Sequence, residues 1–366
     1  MLDQFKQKLK VFKHKYEARL EVLFFVGGFC FDALMVSDVD EPFAIFQQAL
    51  YLLLIAVLIH FELLFRLHKW RPKNARLAGF WNYRNLLLHF LLGTLLNIYS
   101  LFYIKSASFI NSVIFLFLMV AMILANELPV VKKSKVSFKV GLFAICLFSY
   151  LSILYPLMLG FIGWTPFLLS STTTLAIFFV QFKRLKKHIG DGLLLFRATL
   201  FPSISVLVVF IFFYVMGWIP PVPLSVKEQG IYHFIEKKDG SYLLSTEREA
   251  WKFWQNGDQD FRARPGDKIY FYAQIYSPAR FSDEVYVQFS HLDAKNNTWH
   301  LADRIPLKIL GGRKAGFRGF AVKSNYEMGH WRVQVETSTH QEISRLYFDV
   351  TESTATELRQ FKILIR

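Results

Sequence analysis

The chain has 366 residues, 53% of them hydrophobic, with a formal net charge of +15 and only two cysteines. That apolar content excludes a disordered chain, and two cysteines exclude a disulfide-built scaffold. The charge is no nucleic-acid footprint: +12 of it lies before Pro220 and only +3 after.

From the start, Leu2, Phe5, Leu9, Phe12, Tyr16 and Leu20 form one helical stripe, with Lys6, Lys8, Lys10, Lys13 and Lys15 around it. This is the pattern of a basic amphipathic helix, residues 1–21, lying on an anionic inner leaflet. No small-residue cleavage site follows, so a removable signal peptide is not expected.

Seven apolar runs follow: Val22–Val36, Phe43–Phe65, Leu86–Ile104, Phe109–Ala125, Val140–Ile162, Phe167–Phe182 and Thr199–Ile219. Crossing a bilayer takes roughly 20 apolar residues, and residues 22–219 are expected to form a bundle of about seven transmembrane helices. Of the 22 Lys and Arg before Pro220, 21 fall in four clusters: Lys6–Arg19, Arg66–Arg84, Lys132–Lys139 and Lys183–Arg197. The clusters occupy every second gap. Cationic loops stay in the cytoplasm, which implies a cytoplasmic N-terminus and everything after Pro220 outside.

Within the spans, Asp32, Glu62 and Glu127 are the candidate intramembrane polar residues, because an unpaired charge there costs at least about 2.5 kcal/mol. They either form an ion path or pair locally, Glu62 with Arg66 or His60 and Glu127 near Lys132 and Lys133. Ser170–Thr174 are expected to bond back to their own helix or a neighbour. Pro156, Gly160 and Gly163 suggest a kinked or broken fifth span.

After the motif Ile219–Leu224 the pattern changes to period two: Ile269, Phe271, Ala273 and Ile275, then Val285, Val287 and Phe289, then Trp331, Val333 and Val335, then Leu346, Phe348 and Val350. Turn signals separate these runs, so residues 220–366 are expected to form an all-β, immunoglobulin-like sandwich of seven to nine strands. Ser245–Trp254 is the one helical candidate, with Ser245 or Thr246 as N-cap. Candidate binding residues are Tyr270, Tyr272 and Tyr276, which either form an aromatic platform for a glycan or peptide or simply suit a half-buried sheet face, and Arg313 and Arg318, in a glycine-rich turn, which either grip an anion or pair with Asp303 or Glu327.

The stretches GGFCFDALMVSDVD (Gly27–Asp40), LANELP (Leu124–Pro129), YPLMLGFIG (Tyr155–Gly163), PPVPL (Pro220–Leu224), GGRKAGFRGFAVKS (Gly311–Ser324) and MGHWRVQVET (Met328–Thr337) resemble bacterial inner-membrane proteins ending in domain of unknown function family 2914. The resemblance implies this architecture and supplies no reaction.

No nucleophile pattern, metal-ligand spacing or phosphate loop is present, so no catalytic residue, metal or cofactor is expected. The leading expectation is a non-enzymatic inner-membrane protein whose periplasmic sandwich binds a partner protein or envelope polymer. The alternative is a transporter or channel component using acids such as Asp32. Partners are then the lipid bilayer and an outer ligand, with no nucleic acid; the sequence leaves the oligomeric state open.

Overall fold

The computed structural model describes residues 38–127, 136–278, 281–310, 316–354 and 359–366. Eight helices precede the first strand among them: α1 (Pro42–Arg66), α2 (Ala75–Asn82), α3 (Arg84–Lys105), α4 (Phe109–Glu127), α5 (Val136–Leu159), α6 (Trp164–Lys186), α7 (Gly192–Ala198) and α8 (Leu200–Val215). Five segments are long and apolar enough to cross a membrane: α1, α3, α5, α6, and α7 with α8 taken together. The run expected at Phe109–Ala125 gives a shorter apolar helix, and Val22–Val36 lies outside the described residues, as does the amphipathic stretch 1–21. Seven spans are therefore not reproduced.

The five long segments are strongly apolar, as helices that cross a bilayer are. α3 and α5 carry the densest buried surface, while side chains such as Phe43 and Phe117 stand over 70% exposed. Contiguous exposure of that kind marks a surface meant for an apolar medium. Pro156 falls in the last turn of α5, which ends at Leu159, where Gly160 takes φ 81°. The fifth span thus stops where a kink was expected. The Ser/Thr run bonds inward: Ser170 donates to the Pro166 carbonyl, Ser171 to Phe167 and Thr174 to Ser170, while Thr173 meets the Tyr155 hydroxyl of α5 at 2.7 Å.

α7 begins inside a basic gap because the Asp191 carboxylate accepts the Leu193 and Leu194 amides, both at 3.0 Å. Such a cap satisfies donors that a helix start leaves orphaned.

Eleven strands follow among the described residues, more than the seven to nine expected: β1 (Ser225–Tyr232), β2 (Phe234–Lys238), β3 (Ser241–Thr246), β4 (Asp260–Ala263), β5 (Ile269–Tyr276), β6 (Ser282–Asp293), β7 (Thr298–Leu310), β8 (Phe317–Lys323), β9 (Gly329–Thr337), β10 (Glu342–Glu352) and β11 (Lys362–Ile365). They form a sheet β1-β5-β8, a sheet β4-β10-β9-β6-β7 and a small sheet β11-β3-β2. Pairing is antiparallel except β4 with β10. The two larger sheets enclose a core that includes Phe271, Ile275, Val287, Phe289, Val333 and Phe348, which makes a β-sandwich.

The third sheet covers the outer face of β5, where Tyr232, Ile235, Tyr242, Leu244 and Tyr272 make a second cluster. Its β2–β3 turn uses Asp239 and Gly240 at φ 50° and 81°, the left-handed pair that a two-residue hairpin requires. Ser245–Trp254 is not a helix: Ser245 and Thr246 end β3, and turns follow. Thr246 spends its hydroxyl proton on the Asp258 carboxylate at 2.8 Å, and its oxygen receives the Arg248 amide, so a tight turn replaces the N-cap.

Candidate functional site

The end of the bundle that carries Arg66, Arg84 and Lys183–Lys187 holds a polar cluster. Glu62 on α1 is 2% exposed. One of its oxygens accepts from Arg66 at 2.7 Å and the other from Arg84. The Arg84 guanidinium lies over the rings of Phe65 and Trp81 and also donates to the Trp81 carbonyl. Buried Lys139 on α5 donates to the Asn85 side chain at 2.8 Å, and His89 pairs with Asn126 between α3 and α4. Glu62 is therefore a clamp linking α1 to the start of α3, which matches the local-pairing expectation. Arg66 was legible as an i,i+4 partner; Arg84, 22 positions away, was not. Asp32 and the side chain of Glu127 lie outside the described residues.

At the opposite end the bundle meets the sandwich. The Tyr276 hydroxyl donates to the Asp40 carboxylate at 2.7 Å. Burial, then that carboxylate, pushes the Tyr276 phenol well above its ordinary range. Ser108 donates to Glu342, which Gln334 and Arg345 also hold. Ile162 packs into the sandwich core, and a Cβ on Gly163 would stand 3.3 Å from the Thr339 methyl.

The tyrosine face is a packed sheet face and not an open aromatic platform. Tyr276 is engaged at the bundle. Tyr272 is fully buried against Tyr232 and Tyr242, and half-buried Tyr270 packs between Phe234 and Phe320. Arg318 reaches the Gly240 carbonyl at 3.3 Å and lies over the Tyr242 ring, so it braces the β2–β3 turn. Arg318 is not paired with Asp303, whose carboxylate is ion-paired with Lys323 at 2.6 Å. Arg313 lies outside the described residues.

The loop after β3, expected as a helix, carries an open apolar surface. Trp251, Phe253 and Trp254 are 62%, 82% and 58% exposed, with adjacent ring centroids 5.3 Å apart. The loop is firmly staked. Lys252 and Gln255 both donate to Asp260, whose carboxyl these bonds hold below the usual range. The Ile231 amide donates to the Asn256 carbonyl and the Asp258 amide to the Ile231 carbonyl, on either side of Gly257 at φ 72°, where a Cβ would come within 2.1 Å of the Ile231 carbonyl oxygen.

Beneath the loop, Asp258 is pushed up to about 7 by burial. His233, stacked on Phe261, is pushed down to about 4 by burial and then by Arg359. The histidine Nε2 stands 3.4 Å from Glu247 and 3.9 Å from Asp258. Arg359 joins Glu247 to Asp267. Among the described residues no group of three or more His, Cys, Asp or Glu is placed to hold a metal ion.

Fold and site together define a class: a bundle with helices long and apolar enough to cross a membrane, followed by a C-terminal β-sandwich. Residues 282–350, from β6 to β10, match the family described as "Protein of unknown function (DUF2914)". Two of the stretches that carried the resemblance, Gly311–Ser324 and Met328–Thr337, fall inside that match, and those of the helical half fall outside it. No curated protein matches. Among solved structures, an immunoglobulin-like protein from Pseudomonas aeruginosa is 12% identical over 33% of this chain and 96% of its own, with a TM-score of 0.20. A β-glucosidase from Kluyveromyces marxianus is 22% identical over 29% and 14%, with a TM-score of 0.19. Neither carries an argument at those scores.

Proposed function

We propose that this is a non-enzymatic protein of the bacterial inner membrane, with a cytoplasmic N-terminus. Its helices anchor an immunoglobulin-like sandwich, residues 220–366, in the periplasm. The sandwich binds a partner protein or envelope polymer through Trp251, Phe253 and Trp254.

The exposed aromatic triad carries this reading. Large aromatic groups in water mark interaction sites, and Trp is enriched among the residues that dominate binding energy. The staked loop lowers the ordering cost of association. The orientation draws support from the bundle's two ends. Asp40, Ser108 and Ile162 meet the sandwich, while Arg66, Arg84 and Lys183–Lys187 lie at the other ends of the same helices.

A photo-cross-linking residue in place of Phe253, in the full chain in cells, tests the reading. A discrete adduct at 253 that is absent when the probe replaces exposed Lys238 supports it. Sensitivity of the adduct to protease or to muramidase then separates protein from polymer. No adduct at 253, or the same adduct at both positions, overturns it.

A further inference from the structure

α1 and α6 both pack on α5, and between them runs a groove of about 750 Å³ open to the bundle's outside. This volume falls within the range of small-molecule sites, roughly 300–1,000 Å³. Leu53, Val57, Ile177 and Val180 form its apolar walls. At its basic end stand His60, Arg184, Lys187 and His188. No carboxylate lines it among the described residues. The Gln181 Nε2, buried in the same wall, has no hydrogen-bond partner among them.

We propose that this groove binds an anionic phospholipid. The acyl chains lie along the apolar walls, and the phosphate is held by Arg184, Lys187 and His188, with His60 and the Gln181 amide donating from the walls. The charge order selects this occupant: long apolar walls exclude a free anion, and a cationic mouth without acids disfavours a zwitterionic lipid. Cationic pockets between helices on the cytoplasmic side are where anionic head groups bind, and an arginine fork matches a phosphate's geometry. The site is separate from the aromatic triad and does not depend on it.

Native mass spectrometry of the detergent-purified full chain, with phosphatidylglycerol or phosphatidylcholine added, tests the proposal. Wild type should retain phosphatidylglycerol at least tenfold better than phosphatidylcholine. The R184Q/K187Q/H188Q variant should lose that preference, while K69Q/K73Q, altered at exposed lysines of another basic segment, should keep it. Inorganic phosphate should not displace the lipid. Equal retention of the two lipids by wild type, equal loss in both variants, or displacement by inorganic phosphate would each overturn it.

Discussion

The Tyr276 hydroxyl donates to Asp40 across 2.7 Å, tying the end of β5 to the turn that opens α1. Two segments 236 positions apart thus share a part-buried bond to a carboxylate, and the sandwich is seated on the bundle as well as tethered to it. A hydrogen bond to a charged group contributes about 1.5–3 kcal/mol. Tyr276→Phe should therefore lower the melting temperature of the full chain in detergent. Tyr286→Phe, which removes a hydroxyl bonded within its own strand, to Glu284 two residues away, should leave it nearly unchanged. Equal melting of both variants would show that the seat contributes nothing.

The Glu62 clamp should respond unequally to its two arginines. Arg84 is largely buried against aromatic rings, whereas the Arg66 side chain is 42% exposed. Breaking a buried pair costs about 3–5 kcal/mol, and an exposed one about 0–1. Arg84→Gln should thus destabilise the bundle far more than Arg66→Gln in thermal melts. The reverse order would contradict the assignment.

Asp258 and His233 should give opposite pH slopes. The folded value of Asp258, about 7, lies above its ordinary 3.8, so its contribution is full below about pH 4 and is lost as pH rises through 7. The folded value of His233, about 4, lies below 6.5; its contribution is full above 6.5 and is lost as pH falls through 4. In wild type the two nearly cancel between pH 4 and 6.5. Asp258→Asn should leave stability falling toward acid, and His233→Gln should leave it falling toward neutral. Denaturant midpoints across that window check the signs, and slopes of the same sign in both variants would refute the account.

Much of this architecture was legible in the sequence, and the misses share physical causes. Long apolar runs between basic clusters marked the spans because hydropathy is summed over many residues. The short helix α7 was missed because a single local cap, Asp191, sets its start, and α2, whose Asn74 makes no side-chain cap bond, carries no such signal. Ser245–Trp254 looked like a capped helix, but Thr246 bonds Asp258, a partner the sequence does not bring near. The tyrosines of β5 looked like an open face because the covering strands β2, β3 and β11 were not anticipated. The signal was present: Ile269–Tyr276 is apolar or aromatic at nearly every position, as strands buried on both faces are. Arg84 could not be assigned to Glu62 without the fold.

The account stands on a sandwich held outside the cytoplasm, so the most direct measurement is a reporter active only beyond the membrane. Fused after Arg366 it should be active, and fused after Arg76 or Lys187 it should be silent, because those positions lie in the basic gaps at the far ends of α1 and α6. Activity after Lys187, or silence after Arg366, would contradict the account.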